Sequence, residues 1–578
     1  MSDSITPVDR DEFVETQLKL IKIEHEAEKA KTRNKQNYLN LADLVRQGIC
    51  IRDLQCLSSE EGLYGRHLIT LGLIDEQLPS HKITCGDNVS ICRICEPELP
   101  LASGVVYLLN SDEITVVFDI KPNLYGYRES IRYCLIKQSV DVTHKRLQKA
   151  LINLRDYPAV GRASALIDLL LGCQLPARPN EIEPIEFINS RLDDSQKEAV
   201  TFALRSKDLC IIHGPPGTGK TTSIVEVILQ HVKRGLKVLV CAPSNVAVDN
   251  LVERLASFKT QNMVRLGHPA RASSDIHKFT LDAVVEKARQ KDFDDFGSSL
   301  KHEETILHKV LSDCDIILST LANSSSDGPL QHLDDPDKFF DVLIIDECSQ
   351  ATEVSCWIPL LHIGKCILSG DHYQLPPTVI SQIAARDGLE VTLMERLLSR
   401  FDHENLVRML TVQYRMHQKI MEWSSKNFYS NELTAHHSVK NQSMSEISRL
   451  KDCPPLLLID TAGCDMHELE HTSKESKGNK HEAEIAATYV RYLINNGVKP
   501  EHIGITTPYN LQIELIRSQL KGKRMHDVEI RSVDAFQGRE KEVIIFSLVR
   551  SNDCRSTGFL SEYRRIPKLS QQNCTSRH

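Results

Sequence analysis

Gly214-Pro215-Pro216-Gly217-Thr218-Gly219-Lys220-Thr221 is the stretch of this chain whose residue types and spacing most directly imply chemistry. Its backbone N–H groups can cradle phosphate at a helix N-terminus, where the helix dipole favours negative charge. Lys220 is placed to reach the β- and γ-phosphates, and the Thr221 hydroxyl to hold Mg²⁺. A G-x4-G-K-[ST] match arises by chance in a chain of 578 residues about once in fifty, given average residue frequencies. A second constellation follows at 342–347. The apolar run Val-Leu-Ile-Ile reads as a buried strand, with Asp346-Glu347 at its carboxyl end, where open α/β sheets bind ligands. Beside a phosphate loop, Asp346 suits a water-mediated Mg²⁺ contact, and Glu347 suits orienting or deprotonating an attacking water. Hydrolysis of a nucleoside triphosphate is the chemistry these groups support.

Such groups need a parallel sheet with helices on both faces, and after Arg191 the chain has that pattern. Residues 208–213, 237–242, 316–320, 342–346 and 366–370 are continuous apolar runs, each ending in small or polar residues. A second set begins at 456–460 and continues at 503–507, 529–533 and 542–548, so two similar α/β lobes are expected. The preceding residues read differently. Residues 11–35 form one charged helix with a narrow stripe of Val14, Leu18 and Ile21, too narrow for membrane binding and suited to lying along another element. From 49 to 136 the period shortens to two, in short β-like runs at 68–71, 104–109, 114–120 and 131–136, which suggests a small barrel or sandwich. Helical segments around Leu147, Leu151 and Leu154 and across 163–171 follow, then a proline-punctuated linker at 176–184.

Composition sets limits on the function. Lys+Arg 70 against Asp+Glu 78 gives a net charge of −8, which argues against coating nucleic acid or anionic membrane by bulk charge. Any nucleic-acid site must be a local groove. No apolar run approaches the roughly 18 residues of a membrane span, and the polar start lacks the apolar core of a signal peptide. The 17 cysteines, mostly single within apolar runs, read as reduced core residues of a soluble, intracellular, multidomain protein. Cys92-x-x-Cys95 has zinc-knuckle spacing, with Cys85 nearby, but no second pair follows. Positions on a β-strand are the favoured reading. The absence of an Asn-Lys-x-Asp guanine motif, together with the second lobe, disfavours a GTPase or small-molecule kinase.

The acidic pair continues as Asp-Glu-Cys-Ser-Gln350 and is followed by Gly370-Asp-His-Tyr-Gln374-Leu-Pro-Pro and Gln413-Tyr-Arg-Met-His417. Together these resemble superfamily 1 helicases, in the 5′-to-3′ branch related to the nonsense-mediated-decay helicase. Gln196 in Leu-Asp-Asp-Ser-Gln-Lys-Glu-Ala-Val resembles the adenine-reading Q motif. Ala-Pro-Ser-Asn-Val-Ala-Val-Asp-Asn250 resembles motif Ia, Thr-Pro-Tyr-Asn510 motif IV, and Ser-Val-Asp-Ala-Phe-Gln-Gly-Arg-Glu540 motif V. Three more runs, ending at Arg66, Arg271 and Cys464, narrow the resemblance within that branch, and it spans about residues 12–566.

The resemblance implies ATP and Mg²⁺ bound between two RecA-like lobes. Gln374 would couple the γ-phosphate to the nucleic-acid side, Tyr414 would stack on adenine, Arg415 would act as an arginine finger, and Glu540 would contact the ribose. Such a finger is worth roughly 10³–10⁵ in rate in related phosphoryl transfer. Ser244, Asn245, Thr320, Asn510 and Asp534 would grip the backbone of single-stranded RNA or DNA, and Tyr509 would stack on a base for about 1–3 kcal/mol. The family implies a monomer in cytoplasm or nucleus, with ribosome or ribonucleoprotein components as further partners. The fold expected is therefore α/β, two RecA-like parallel-sheet lobes with an inserted β-barrel and a helical stalk. Its bounds are 1–48 for the stalk helix, 49–138 for the barrel and 139–190 for stalk helices and linker. Lobe one follows at 191–402 and an incomplete lobe two at 403–566. Two departures stand out. The helical insertion at about 270–312 is short, with a poor helix former at its centre, 292–299. The tail 567–578 opens on Pro567 and replaces motif VI with its second arginine finger, so a form that binds ATP and strand but hydrolyses poorly is the alternative expectation.

Overall fold

The computed structural model describes residues 7–552 except 37–40, 47, 74–76, 80, 111, 125–130, 139–140, 259–261, 293–299, 402, 451–452, 462, 470–475, 521–524, 526, 534 and 537–539. The divergent tail at 567–578 and nearly all of the poor helix centre at 292–299 lie outside the described residues. Around that centre stand the helices Leu281–Asp292 and Leu300–Asp313.

The charged helix Arg10–Gln36 uses its stripe as expected. Val14 and Ile21 are buried and Leu18 packs beside them, along the helix Asp141–Arg155. It is fastened to lobe one near its start and near its middle. Phe13 meets the fully buried Trp357 edge-on at 6.2 Å, and Glu24 accepts the N–H groups of Ile380 and Ser381 at 2.7 and 2.8 Å. Truncating a buried aromatic of this kind costs about 3–5 kcal/mol, so the stalk is an integral part of lobe one.

The period-two region closes into an antiparallel barrel. Its strands are β1 (Cys50–Gly62), β2 (Arg66–Gly72), β3 (Asn88–Arg93), β4 (Glu96–Leu109), β5 (Glu113–Phe118) and β6 (Tyr133–Lys137), in the spatial order β1-β2-β5-β4-β3-β6. Closure leaves no free edge, and alternate residues such as Ile51, Ile69, Leu71, Val89 and Ile91 fill the interior. Cys92 sits on β3, buried opposite Cys134 of β6, whereas Cys85 and Cys95 are exposed, so the spacing belongs to a strand and its turn. The barrel docks on lobe one through the run ending at Arg66. That guanidinium bonds Asp119 and Asp282 at 2.8 Å each, and the Tyr64 hydroxyl donates to the His277 carbonyl at 3.4 Å.

Lobe one is an all-parallel seven-stranded sheet. Its strands are β7 (Leu209–His213), β8 (Val238–Ala242), β9 (Met263–Arg265), β10 (Ile316–Thr320), β11 (Val342–Ile345), β12 (Cys366–Gly370) and β13 (Val407–Met409), in the order β13-β7-β12-β11-β8-β10-β9. All strands but β13 are buried along their length, with an apolar layer on each face of the sheet, which is why their sequences are continuous apolar runs. The three-residue strands β9 and β13 escaped the pattern. β13 pairs with β7, so the first sheet takes a strand from beyond residue 402.

Lobe two holds a smaller parallel sheet of Glu529–Ser532, Ile503–Thr507 and Val543–Phe546, in that spatial order, packed against the helices Lys480–Asn495 and Asn510–Gln519. The run 456–460, expected to open this sheet, forms no strand. Leu458 there is 83% exposed. The run's apolar sequence suits a strand, but no neighbouring strand among the described residues pairs with it. Among the described residues no helix is long and apolar enough to cross a membrane. The fifteen cysteines described are free thiols, most of them buried.

Candidate active site

The phosphate loop is a tight turn between β7 and the helix Lys220–Lys233. Thr218 folds back so that its N–H and hydroxyl both donate to the Pro215 carbonyl, at 3.2 and 2.6 Å, and the Gly214 N–H donates to the Gly370 carbonyl at 3.0 Å. Gly217 and Gly219 carry φ of +75° and +73°, in the left-handed region that favours glycine. Space demands glycine there as well. A Cβ on Gly217 would stand 2.5 Å from the Arg415 Cβ, and one on Gly219 would strike the Gln196 amide.

The acidic pair sits at the carboxyl end of β11. Asp346 is buried, its Oδ1 accepting the Ser369 hydroxyl and the Glu347 N–H, each at 2.9 Å. Burial pushes its carboxyl up, opposed chiefly by Lys220. Glu347 has φ +54°, a strained backbone for a side chain, of the kind that costs about 1–3 kcal/mol and persists where surroundings over-determine it. That turn aims its carboxylate at Lys220, whose Nζ donates to Oε1 at 2.7 Å, while Gln350 donates to Oε2 at 2.6 Å. Burial disfavours the ammonium, but Glu347 and Asp346 together hold Lys220 above its ordinary range.

The Gln413-Tyr-Arg-Met-His417 loop lies on the phosphate loop. The Tyr414 N–H donates to the Gly217 carbonyl at 2.7 Å, and Gln413 braces the loop by accepting from the N–H groups of Arg415 and Met416. Arg415 is ion-paired with Glu540, and its Nε is buried without a hydrogen-bond partner among the described residues. The Tyr414 hydroxyl donates to Asp193 at 2.9 Å, and burial together with that carboxylate pushes the phenol up. Gln196 is engaged at both ends of its amide. Oε1 closes a capping box with Asp193, and Nε2 donates to the Thr218 carbonyl at 2.9 Å. It therefore braces the phosphate loop from behind.

Gln374 donates to Asp371, and Asp371 is the residue that sequence reasoning passed over. This fully buried carboxylate also accepts from His213 Nε2 at 3.0 Å and from the Tyr429 hydroxyl at 2.8 Å. Burial would raise it, but the His213 bond leads the groups that hold it down at about 2. His213, Asp371 and His372 also cluster closely enough to suggest a metal. The donors already around Asp371 make it a hydrogen-bond hub instead. The available sequence signal was position: His213 directly precedes Gly214, and Asp371 directly follows β12.

Of the residues expected to hold nucleic acid, those of lobe one lie along the same carboxyl edge of the sheet. The nucleotide groups follow β7, β11 and β12, whereas Ser244-Asn245 and Thr320 close β8 and β10, next along the order. Ser244 caps the helix Asn245–Ala256 by accepting the Ala247 N–H at 3.2 Å. Asn510 is exposed at the start of its helix. Tyr509 is not presented for stacking. It is 7% exposed, and its hydroxyl accepts from Arg550 at 3.4 Å. Asp534 lies outside the described residues.

A phosphate loop, an acidic pair on the same sheet and an arginine brought from a second lobe define a two-lobed P-loop ATPase fold. Residues 191–296 and 286–382 match one AAA domain family, 389–567 match another, and 14–138 match the helicase SMUBP-2/HCS1 1B domain. The chain is 32% identical to DNA polymerase alpha-associated DNA helicase A of Saccharomyces cerevisiae, over 95% of this chain and 91% of the yeast protein. It is 44% identical to DNA-binding protein SMUBP-2 of Mus musculus, over 96% of this chain and 59% of the mouse protein. It is also 35% identical to the regulator of nonsense transcripts 1 homolog of Drosophila melanogaster, over 65% of this chain. The chain belongs to the superfamily 1 helicases, and within them to the SMUBP-2/HCS1 family. It spans about 60% of the length of the SMUBP-2 relatives it matches.

Proposed function

We propose that this chain is an ATP-driven motor on single-stranded RNA or DNA, moving 5′ to 3′, with hydrolysis between its two lobes. The observation that carries the reading is the seating of the Tyr414–Arg415 segment on the phosphate loop, which brings a lobe-two cation to the nucleotide site. In this reading the Gly214–Thr221 loop, including Pro215, Pro216 and Thr218, wraps the phosphates, and Lys220 exchanges Glu347 for the γ-phosphate. Glu347, once released, accepts a proton from water as its oxygen attacks the γ-phosphorus and the bond to the β-phosphate breaks. Arg415 leaves Glu540 to meet the charge that develops, and Glu540 is then free for the ribose. Thr221 and Asp346 would hold Mg²⁺. Both bonds to Asp346 from described residues fall on Oδ1, which leaves Oδ2 for a cation. Bound Mg²⁺ would neutralise charge between the β- and γ-phosphates.

Ser244, Asn245, Thr320, Asn510 and Asp534 would grip the strand, and the barrel would clamp it. The domain bounds, monomeric state, nuclear or cytoplasmic location, and ribosome or ribonucleoprotein partners given above belong to the same reading. The second reading is a clamp that binds both ligands and turns over poorly. It is favoured by the lobe-two sheet, which has three strands among the described residues, and by the run 456–460, with which no strand among those residues pairs. The test is the ATPase rate with and without single-stranded RNA, beside Glu347→Gln. Strand-stimulated turnover abolished by that change supports the motor. Binding of both ligands with no turnover above the variant's selects the clamp.

A further inference from the structure

Arg265 ends β9 with its side chain completely buried. A guanidinium offers five donors and no acceptor, so each polar neighbour must present an oxygen. Nε donates to Asp249 Oδ1 at 3.3 Å, Nη1 to the Leu266 carbonyl at 3.3 Å, and Nη2 to Asn245 Oδ1 at 2.7 Å and the Arg271 carbonyl at 3.4 Å. Gly267, at φ +128°, makes the space, since a Cβ there would stand 2.5 Å from Nη1. The other oxygen of Asp249 accepts the Ser273 N–H at 2.9 Å.

This geometry dictates how Asn245 is presented. Only its carbonyl oxygen can face a donor-only partner, so its NH₂ points away from the core, at the exposed first turn of the helix Asn245–Ala256. An amide held in that sense offers N–H donors, which is what a phosphate oxygen accepts. The same run of residues ends in the barrel. Arg271 donates to the Gly86 carbonyl at 3.1 Å and Asn88 Oδ1 at 2.8 Å, and Ala270 packs against Val105 and Val117 of the barrel wall. Residues 265–271 thus run without a break from beneath the Asn245 amide to the seat of the barrel.

We propose that Arg265 is a positioning residue for strand binding, holding Asn245 as a phosphate donor and tying that donor to the barrel. This rests on the nucleic-acid reading above. The test is binding of the full chain to a fluorescein-labelled single-stranded oligouridylate, by anisotropy across a salt series, for the parent, Asn245→Asp, Arg265→Lys and the double variant. Asn245→Asp keeps an acceptor for Arg265 but turns a carboxylate to the strand. It should melt at the parent temperature and bind about tenfold or more weakly. Arg265→Lys cannot span Asp249 and Asn245 with one fork. It should bind several-fold more weakly, with the slope of log affinity against log salt unchanged, since the neutral Asn245 amide releases no counterion. Placed on Asn245→Asp, it should add little further loss.

Binding of Asn245→Asp within twofold of the parent, or additive losses in the double variant, overturns the proposal while leaving the motor reading intact. A parent that binds no strand removes both. Because Asn245→Asp spares the buried pair, misfolding of Arg265→Lys does not rescue the idea.

Discussion

Glu347→Gln should tighten nucleotide binding while abolishing hydrolysis. In the structure Lys220 donates to Glu347 at 2.7 Å with both side chains mostly buried, so nucleotide must displace a charge-assisted hydrogen bond before Lys220 can meet phosphate. Such a bond is worth about 1.5–3 kcal/mol, and the neutral bond that glutamine would keep about 0.5–1.5 kcal/mol. The difference is about 1–1.5 kcal/mol, or roughly five- to tenfold in affinity. Repulsion between the Glu347 carboxylate and the γ-phosphate acts in the same direction, so the gain should be smaller for ADP. Isothermal titration with a non-hydrolysable ATP analogue and with ADP, on parent and variant, measures both. Unchanged or weaker analogue binding by the variant would refute the idea that this pair is what nucleotide must break.

Gly217→Ala should strain a +75° backbone by about 1–2 kcal/mol and drive its Cβ into Arg415, so kcat should fall further than apparent nucleotide affinity in steady-state kinetics. Tyr429→Phe removes one of the donors to the buried Asp371 and should cost about 1.5–3 kcal/mol, read as a lowered thermal midpoint. His231 is buried with Nδ1 donating to the Val227 carbonyl, and burial holds the ring down at about 3. Its neutral form is favoured in the fold, so its contribution is full above about pH 6.5 and drains as pH falls towards 3. Between pH 7 and 5 the loss is about 2 kcal/mol. Denaturant melts at the two pH values should show that loss in the parent and a flatter dependence in His231→Phe.

What the sequence made legible follows from which physical constraints act locally. Strands β7, β8, β10, β11 and β12 were readable because a parallel sheet covered on both faces requires unbroken apolar runs. The phosphate loop was readable because positive φ and close approach leave glycine as the workable residue at 217 and 219. Strands β9 and β13, three residues each, are too short to show any period, and pairing alone makes them strands. The run 456–460 shows the converse: its local preference for a strand is overruled, since no strand among the described residues pairs with it. Tyr509 and Gln196 were assigned exposed tasks by their motifs, and tertiary packing buries one and engages both ends of the other. Arg265 opens the run that ends at Arg271, but a buried cation cannot be told from a surface one without the oxygens around it.

The arrangement of charges connects these residues into one argument about the resting site. The two cations placed for phosphate are each held by a carboxylate with its own place in the proposed cycle, Lys220 by Glu347 and Arg415 by Glu540. Neither cation is then left uncompensated in a partly buried site, where an unpaired charge is costly. In the proposed cycle the same pairing would hold Glu347 and Arg415 in reserve until an anion competes for both. Glu347 and Arg415 come from opposite lobes, so a triphosphate that breaks both pairs replaces contacts within each half of the site with contacts across it. In the proposed cycle closure of the lobes would then follow from exchange of partners, with Asn245, the proposed strand contact, on the same sheet edge to feel it.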